Sequence, residues 1–234
     1  MKRFLFFTVF FVLFFNSCLS SKVNEEYPRY FCFVTASFLS EEGSAQPHVI
    51  LLSDADKVLN VVNNDNLSKK IRNGQRAVAF FDMVNGSIED DLPAEIKLSS
   101  LDTCVVIGNS AIVKDSESIK SYGESPMDVN ISPYYPSLTP KYFNLYICAY
   151  GSDPYKHSFS LVYNQDDPGK DDSLNLRLCH DDHGDSYGYQ YWHWISLPRA
   201  EFTSLMLDKS EVVMGIKTRS SDFQTLRFSL KSKE

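Results

Sequence analysis

The 234-residue sequence lacks most of the local signatures of known chemistry. It has no Gly-x-Ser-x-Gly elbow, no His-Glu-x-x-His pair and no glycine-rich phosphate loop, so nothing in it supports nucleophilic, zinc-protease or nucleotide chemistry. Its cysteines form no Cys-x-x-Cys pair, which removes zinc ribbons. Basic residues are short as well. The 23 Lys and Arg against 30 Asp and Glu leave a net charge of -7, the wrong sign for gripping a phosphate backbone, and nucleic acid is set aside as a partner. Long apolar runs are scarce: the run Phe4 to Phe15 falls short of the roughly 20 residues a membrane span needs. Helical periodicity is missing too, because no window keeps apolar residues three and four apart for more than about two turns. Asp166, Asp167, Asp171 and Asp172 crowd around Pro168-Gly169 without the alternating ligands and terminal Glu of an EF-hand, and read as a solvated turn.

What is present begins at the N-terminus. Lys2 and Arg3 before the run Phe4 to Phe15 make the charged and apolar regions of an export signal. Phe15-Asn16-Ser17-Cys18 then resembles a bacterial lipobox, with a small residue before the cysteine, although Phe15 and Asn16 replace the usual leucine and small residue. Residues 1–17 are thus expected to be a lipoprotein signal peptide and Cys18 the lipid attachment site, anchored more stably by several acyl chains than by one. The alternative is ordinary cleavage after Ser20. Residues 18–28, polar and holding Glu25 and Glu26, suit a tether. Cys32, Cys104, Cys148 and Cys179 lie in apolar, strand-like runs and are expected to be buried free thiols, with Cys148 to Cys179 the pairing to test first.

From Arg29 the chain turns to short runs rich in β-branched and aromatic residues, separated by Gly, Pro, Asn and Asp. Tyr30 to Phe38, His48 to Leu52, Val58 to Val62, the strand after Asn73-Gly74, Ala94 to Leu98 and Thr103 to Val113 make an all-β first domain over 29–115. One helical turn near Leu67 to Ile71, capped by Asn66 or Ser68, is the exception. Several short strands and little helix suit a small closed barrel. Residues 116–126, rich in Ser, Gly and charge, read as a linker. The runs Tyr142 to Tyr150, His157 to Asn164, Ser173 to His180, Tyr189 to Leu197, Glu211 to Thr218 and Phe223 to Leu230 make an antiparallel β-sandwich over 127–234.

These residues together resemble the NigD-like family of gram-negative envelope lipoproteins. The resemblance rests on the lipobox-like start, Asn73-Gly74-Gln75-Arg76 leading into a strand, and Ile112-Val113-Lys114. It rests also on Tyr142-Phe143-Asn144-Leu145, Leu176-Arg177-Leu178-Cys179-His180 with Gly184-Asp185, and Ile195-Ser196-Leu197. It implies an N-terminal OB-like barrel, a C-terminal β-sandwich and a loose association with a bacteriocin locus that suggests an immunity-type role; the anchor itself is expected in the outer rather than the inner membrane. It implies no catalytic residues and no cofactor.

The most conspicuous chemistry lies between Leu174 and Leu197. If Asn164 stands opposite Ser173, then His157 faces His180 across a β ladder, with Asp185 near by. Two imidazoles and a carboxylate are the minimum for a zinc or iron site, so a metal-dependent hydrolase using His157, His180 and Asp185 is the competing class of function. The favoured reading is a hydrogen-bonded cluster at a sheet end, with His183, Asp181 and Asp182 as solvated turn residues. Tyr187, Tyr189, Trp192 and Trp194 are the ligand-binding candidates, able to stack on a protein or glycan partner. The sequence therefore points to a lipid-anchored, non-enzymatic binding protein.

Overall fold

The computed structural model describes residues 30–39 and 47–230, apart from 65, 91, 133, 134, 171, 221 and 222. The export signal, Cys18, the tether and Asp171 lie outside them. No helix among the described residues is long and apolar enough to cross a membrane.

The first unit is a closed barrel. Strands β1 (Tyr30–Leu39), β2 (His48–Ser53), β3 (Val58–Val61), β4 (Arg76–Asn85) and β5 (Ala94–Asp102) join in the order β1-β2-β3-β5-β4, and β4 returns to β1. Only β3 and β5 run parallel, as OB-type closure demands. The two-residue side-chain period turns Val34, Val49, Leu51, Leu59, Ala77, Ala79, Phe81 and Ile96 into one core. Helix α1 (Leu67–Lys70) adds Leu67 and the following Ile71 to it. Its expected cap differs: Asn66 has φ 62 and no capping bond, and its amide oxygen instead accepts from Lys69 Nζ at 2.9 Å.

The second unit is a two-layer sandwich. It comprises β6 (Val105–Ile107), β7 (Asn109–Val113), β8 (Asp128–Asn130), β9 (Ser137–Leu138), β10 (Tyr142–Gly151), β11 (Ser158–Asn164), β12 (Ser173–Asp181), β13 (Tyr189–Pro198), β14 (Glu211–Ile216) and β15 (Gln224–Ser229). One sheet has the order β6-β13-β10-β8, with β9 also on β10, and the other β15-β14-β12-β11-β7. Phe143, Leu145, Ile147, Phe159, Leu161, Leu178, Ile195, Leu197 and Met214 fill the space between. The sheets are mixed rather than purely antiparallel, because β6 with β13, β7 with β11 and β12 with β14 run parallel.

The expected single strand over 103–113 is two strands, and both pair with the sandwich rather than the barrel. Gly108 is the reason. A Cβ there would sit 2.5 Å from Leu197 Cδ2 and 2.7 Å from the Phe159 carbonyl oxygen, so only glycine lets the chain pass from one sheet to the other between them. The strand pairing thus ends the barrel at Asp102 and starts the sandwich at Val105, ahead of the expected boundary at 115. The expected linker is also ordered: Asp115 accepts from Ser118 N at 2.8 Å to cap α2 (Ser116–Ile119), which buries Ile119 against Val113, Val162 and Cys179.

Candidate functional site

The pairing of β11 with β12 places Phe159 opposite His180 and Leu161 opposite Leu178. This register is two residues from the expected one. A shift of two keeps every side chain on its face, so the alternation identified the face but not the offset. The offset comes from the turn, which folds back on itself: Asn175 N donates to the Pro168 carbonyl and Asn175 Nδ2 to Asp167. His157 lies just before β11 and meets His180 diagonally, with His180 Nε2 2.9 Å from His157 Nδ1.

Both histidines are buried, and a third, His193 of β13, lies near them with its Nε2 enclosed and unpartnered. His180 stacks on Phe159 at 4.9 Å. With His180 Nε2 donating, His157 carries its proton on Nε2, which faces Asp185 Oδ2 at 3.6 Å. His180 Nδ1 is then a bare acceptor in the core. Burial, then the neighbouring His157, pushes His180 down to about 4 and lowers His193 in the same way. Asp185 is held chiefly by other groups. Its carboxylate accepts from Ser152 Oγ at 2.5 Å, Asp153 N at 2.7 Å and Ser152 N at 2.8 Å, and these bonds keep it well below the usual carboxylate range.

The trio is thus brought together as a chain, Asp185 to His157 to His180, rather than as three donors around a point. A metal needs its ligands to converge at about 2.0–2.2 Å, and the nitrogens of His157 point to opposite sides of its ring. Among the described residues no group of three or more His, Cys, Asp or Glu is arranged to hold a metal ion. A second contact order, Ser158 Oγ to His183 Nε2 and His183 Nδ1 to Asp181 Oδ2, both 3.3 Å, has the sequence of a serine triad. Its imidazole is 54% exposed, though, and Asp181 accepts from His183 N, so water and local turn bonding claim these groups.

The aromatic candidates separate. Tyr187, Tyr189 and Trp192 are 88%, 79% and 44% exposed, and Tyr155 in the preceding loop is 93% exposed. Trp194 is buried, which corrects its place among the ligand-binding candidates. Its Nε1 donates to Asp102 of the barrel at 2.9 Å, and its ring packs against Phe31, Phe33, Tyr135 and Tyr146. Trp192 and Trp194 share the outer face of their sheet because they are two apart. The barrel covers only the second.

The seam between barrel and sandwich holds the residues that sequence reasoning missed. Arg76 of β4 donates to Asp54 through Nη1 at 2.7 Å and Nη2 at 2.8 Å, to Asn144 Oδ1 at 2.9 Å and to Ser196 Oγ at 2.6 Å. Asn144 Nδ2 and Thr139 Oγ1 donate to Asp54 in turn, and the Arg76 guanidinium lies 3.9 Å from the Tyr142 ring centroid. All four of Asp54, Arg76, Asn144 and Ser196 are buried, so the charges are paired and nearly every polar atom is bonded. The signal lay in sequence motifs already quoted: Asn73 to Arg76, Tyr142 to Leu145 and Ile195 to Leu197 each send one polar side chain here.

The four described cysteines are free, with Cys148 and Cys179 buried and Cys32 half-buried. These two face outward from opposite sheets, since Cys148 shares the face of Tyr146 and Cys179 that of Val162, so they are not positioned to bridge. Cys104 is exposed, unlike the expectation of a buried thiol.

Residues 111–230 match the model of the NigD-like C-terminal beta sandwich domain. Among solved structures, a protein of unknown function, DUF1344, from Bacteroides vulgatus ATCC 8482 is similar with TM-score 0.63 and 16% identity, over 87% of this chain and 92% of that one. A NigD-like immunity protein from Bacteroides caccae ATCC 43185 is similar with TM-score 0.53 and 20% identity, over 86% and 93%. A candidate lipoprotein from Bacteroides fragilis NCTC 9343 has TM-score 0.58 and 11% identity, over 88% and 99%. Comparison with curated proteins gives no match.

Proposed function

Because this chain belongs to the NigD-like family, we propose that it is a lipid-anchored, non-enzymatic protein of the cell envelope that binds a protein partner at the aromatic end of the sandwich, around the connection that carries the chain from β12 in one sheet to β13 in the other. The observation that carries this reading is the exposure of four rings carried by the β10–β11 and β12–β13 connections and the start of β13, Tyr155, Tyr187, Tyr189 and Trp192, on both faces of that strand. Rings this large and this exposed are rarely left so without a use, and tyrosine and tryptophan are the side chains that anchor interfaces. The export signal and Cys18 support the anchor, and the solved structures named as lipoprotein and immunity protein fit an envelope setting and a toxin-like partner. The chained geometry of Asp185, His157 and His180 supports a structural rather than a catalytic role for that cluster.

Crosslinking in intact envelopes tests the site. The wild type is expected to yield a discrete protein adduct that Tyr187→Ser with Tyr189→Ser abolishes while the melting temperature stays unchanged. An adduct indifferent to both tyrosines sinks the assignment. Mass spectrometry of the membrane-bound protein tests the anchor, with a lipid-modified Cys18 as the expected result and an unmodified terminus as the contrary one.

A further inference from the structure

The free edge of β13 points to the kind of partner. Ser196 accepts from Gly108 N through its carbonyl at 3.0 Å, so the even-numbered residues of β13 direct their N–H and C=O toward β6. Pairing with β6 begins only at Trp194 opposite Val105. By the two-residue period, Gln190 and Trp192 present their backbone groups on the same edge, where no described strand pairs with them. Their other edge is already filled by β10, since Tyr191 stands opposite Ala149 and Trp192 opposite Cys148.

Unpaired edges invite another strand, and proteins usually block them with lysine, proline, a bulge or a cover. This one carries no such device. Residues 178–197 contain no Lys, Arg or Pro and include Asp181, Asp182 and Asp185 in a chain of net charge -7, and Arg219 stands over the Tyr150 ring at 3.3 Å, on the β10 side of β13 away from the free edge. Exposed Tyr189 and Trp192 lie on alternate faces of the strand and flank any chain laid along it. Resting on the protein-binding reading above, we propose that the partner is engaged as an extended, lysine- or arginine-bearing segment that adds a strand beside Gln190 and Trp192, with main-chain bonds giving affinity and the net negative charge of the chain favouring a basic segment.

The test uses the full chain and a capped hexapeptide alternating lysine with valine, alongside a twin methylated on every backbone nitrogen. The peptide is expected to slow amide exchange at Gln190 and Trp192, to bind more weakly as salt rises, and to outbind its methylated twin at least tenfold. Gln190→Pro is expected to weaken binding at least fivefold yet to melt as the wild type, because the lost N–H faces away from β10. No binding at millimolar peptide, or equal binding by the twin, overturns the proposal. Concentration-dependent protection of the same amides without peptide would show that a second copy of the chain takes the edge, and also overturns it. An envelope adduct that needs Tyr187 and Tyr189 but ignores Gln190→Pro removes this inference and leaves the proposed function standing. Peptide binding with a tyrosine-independent adduct does the reverse.

Discussion

Arg76 and Ser196 stand 120 positions apart in the chain, and Arg76 Nε meets Ser196 Oγ at 2.6 Å in the buried seam between barrel and sandwich. Because Asp54 shares the guanidinium and is itself buried, the seam contains a desolvated charge pair that is stable only while both members remain. The two units are therefore coupled through chemistry and not through apolar contact alone.

Arg76→Ala should consequently destabilise the chain by about 3–5 kcal/mol, the usual result of stranding one buried charge. Replacing Asp54 and Arg76 together with apolar residues of similar volume should cost much less. Urea unfolding followed by tryptophan fluorescence checks both, since Trp194 lies in the same seam. A loss in the double variant equal to the sum of the two single losses would show that the pair does not act as a unit.

The pH dependence of stability has a definite sign. Burial lowers His180 in the folded chain to about 4, while an unfolded histidine titrates near 6.5, so between those values the unfolded state binds more protons. Stability is fully present above about pH 6.5 and is lost as pH falls toward 4, by up to roughly 3 kcal/mol. Asp185 is also lowered and acts in the same direction, but only below the carboxylate range near pH 4. Urea midpoints from pH 7.5 to 4.5 should slope downward in the wild type and less steeply in His180→Phe, which keeps the stacking on Phe159 and leaves the lowered His193 to supply the remainder. An unchanged slope would assign the loss to other groups.

The architecture was readable where a pattern repeats locally. Period-two alternation located the barrel and sandwich strands, and Asn73-Gly74 located a turn whose Gly74 has φ 77. Alternation also assigned His157 and His180 to one face, yet it is blind to a shift of two, and a folded turn decided the offset. It could not tell which of Trp192 and Trp194 the barrel covers, because that depends on a contact between units. The destination of 105–113 hinged on the absence of one Cβ at Gly108, and the Arg76 cluster joins motifs that are meaningful only once the chain has folded.

Gly108→Ala follows from the same close approach. The added methyl meets a backbone carbonyl oxygen as well as a leucine methyl, and the carbonyl cannot move without parting β11 from its neighbours. A loss of about 1–3 kcal/mol is expected, as for other overpacked cores. Gly184→Ala is the useful contrast: its Cβ would meet nothing within 4 Å, so only its φ of 80 opposes the change. Thermal melts of the two should separate clearly, and a milder effect at 108 than at 184 would show that the crossing between sheets tolerates a side chain.

Thiol chemistry discriminates the four described cysteines by position. Burial pushes Cys32 up to about 12 and Cys179 up to about 11, and it raises Cys148 too, so at pH 8 each holds little thiolate, and Cys148 and Cys179 are enclosed as well, while Cys32 is half-buried. Cys104, in the connection between β5 and β6, is exposed to reagent. Brief maleimide treatment of folded protein, followed by peptide mapping, should modify Cys104 at least tenfold faster than Cys32, Cys148 or Cys179, and mild urea should erase the difference. Because Cys104 lies between barrel and sandwich, its rate in Arg76→Ala also reports whether the seam has opened. Fast modification of Cys32 in that variant, with Cys179 still protected, would mean that the barrel loosens first while the sandwich stays folded.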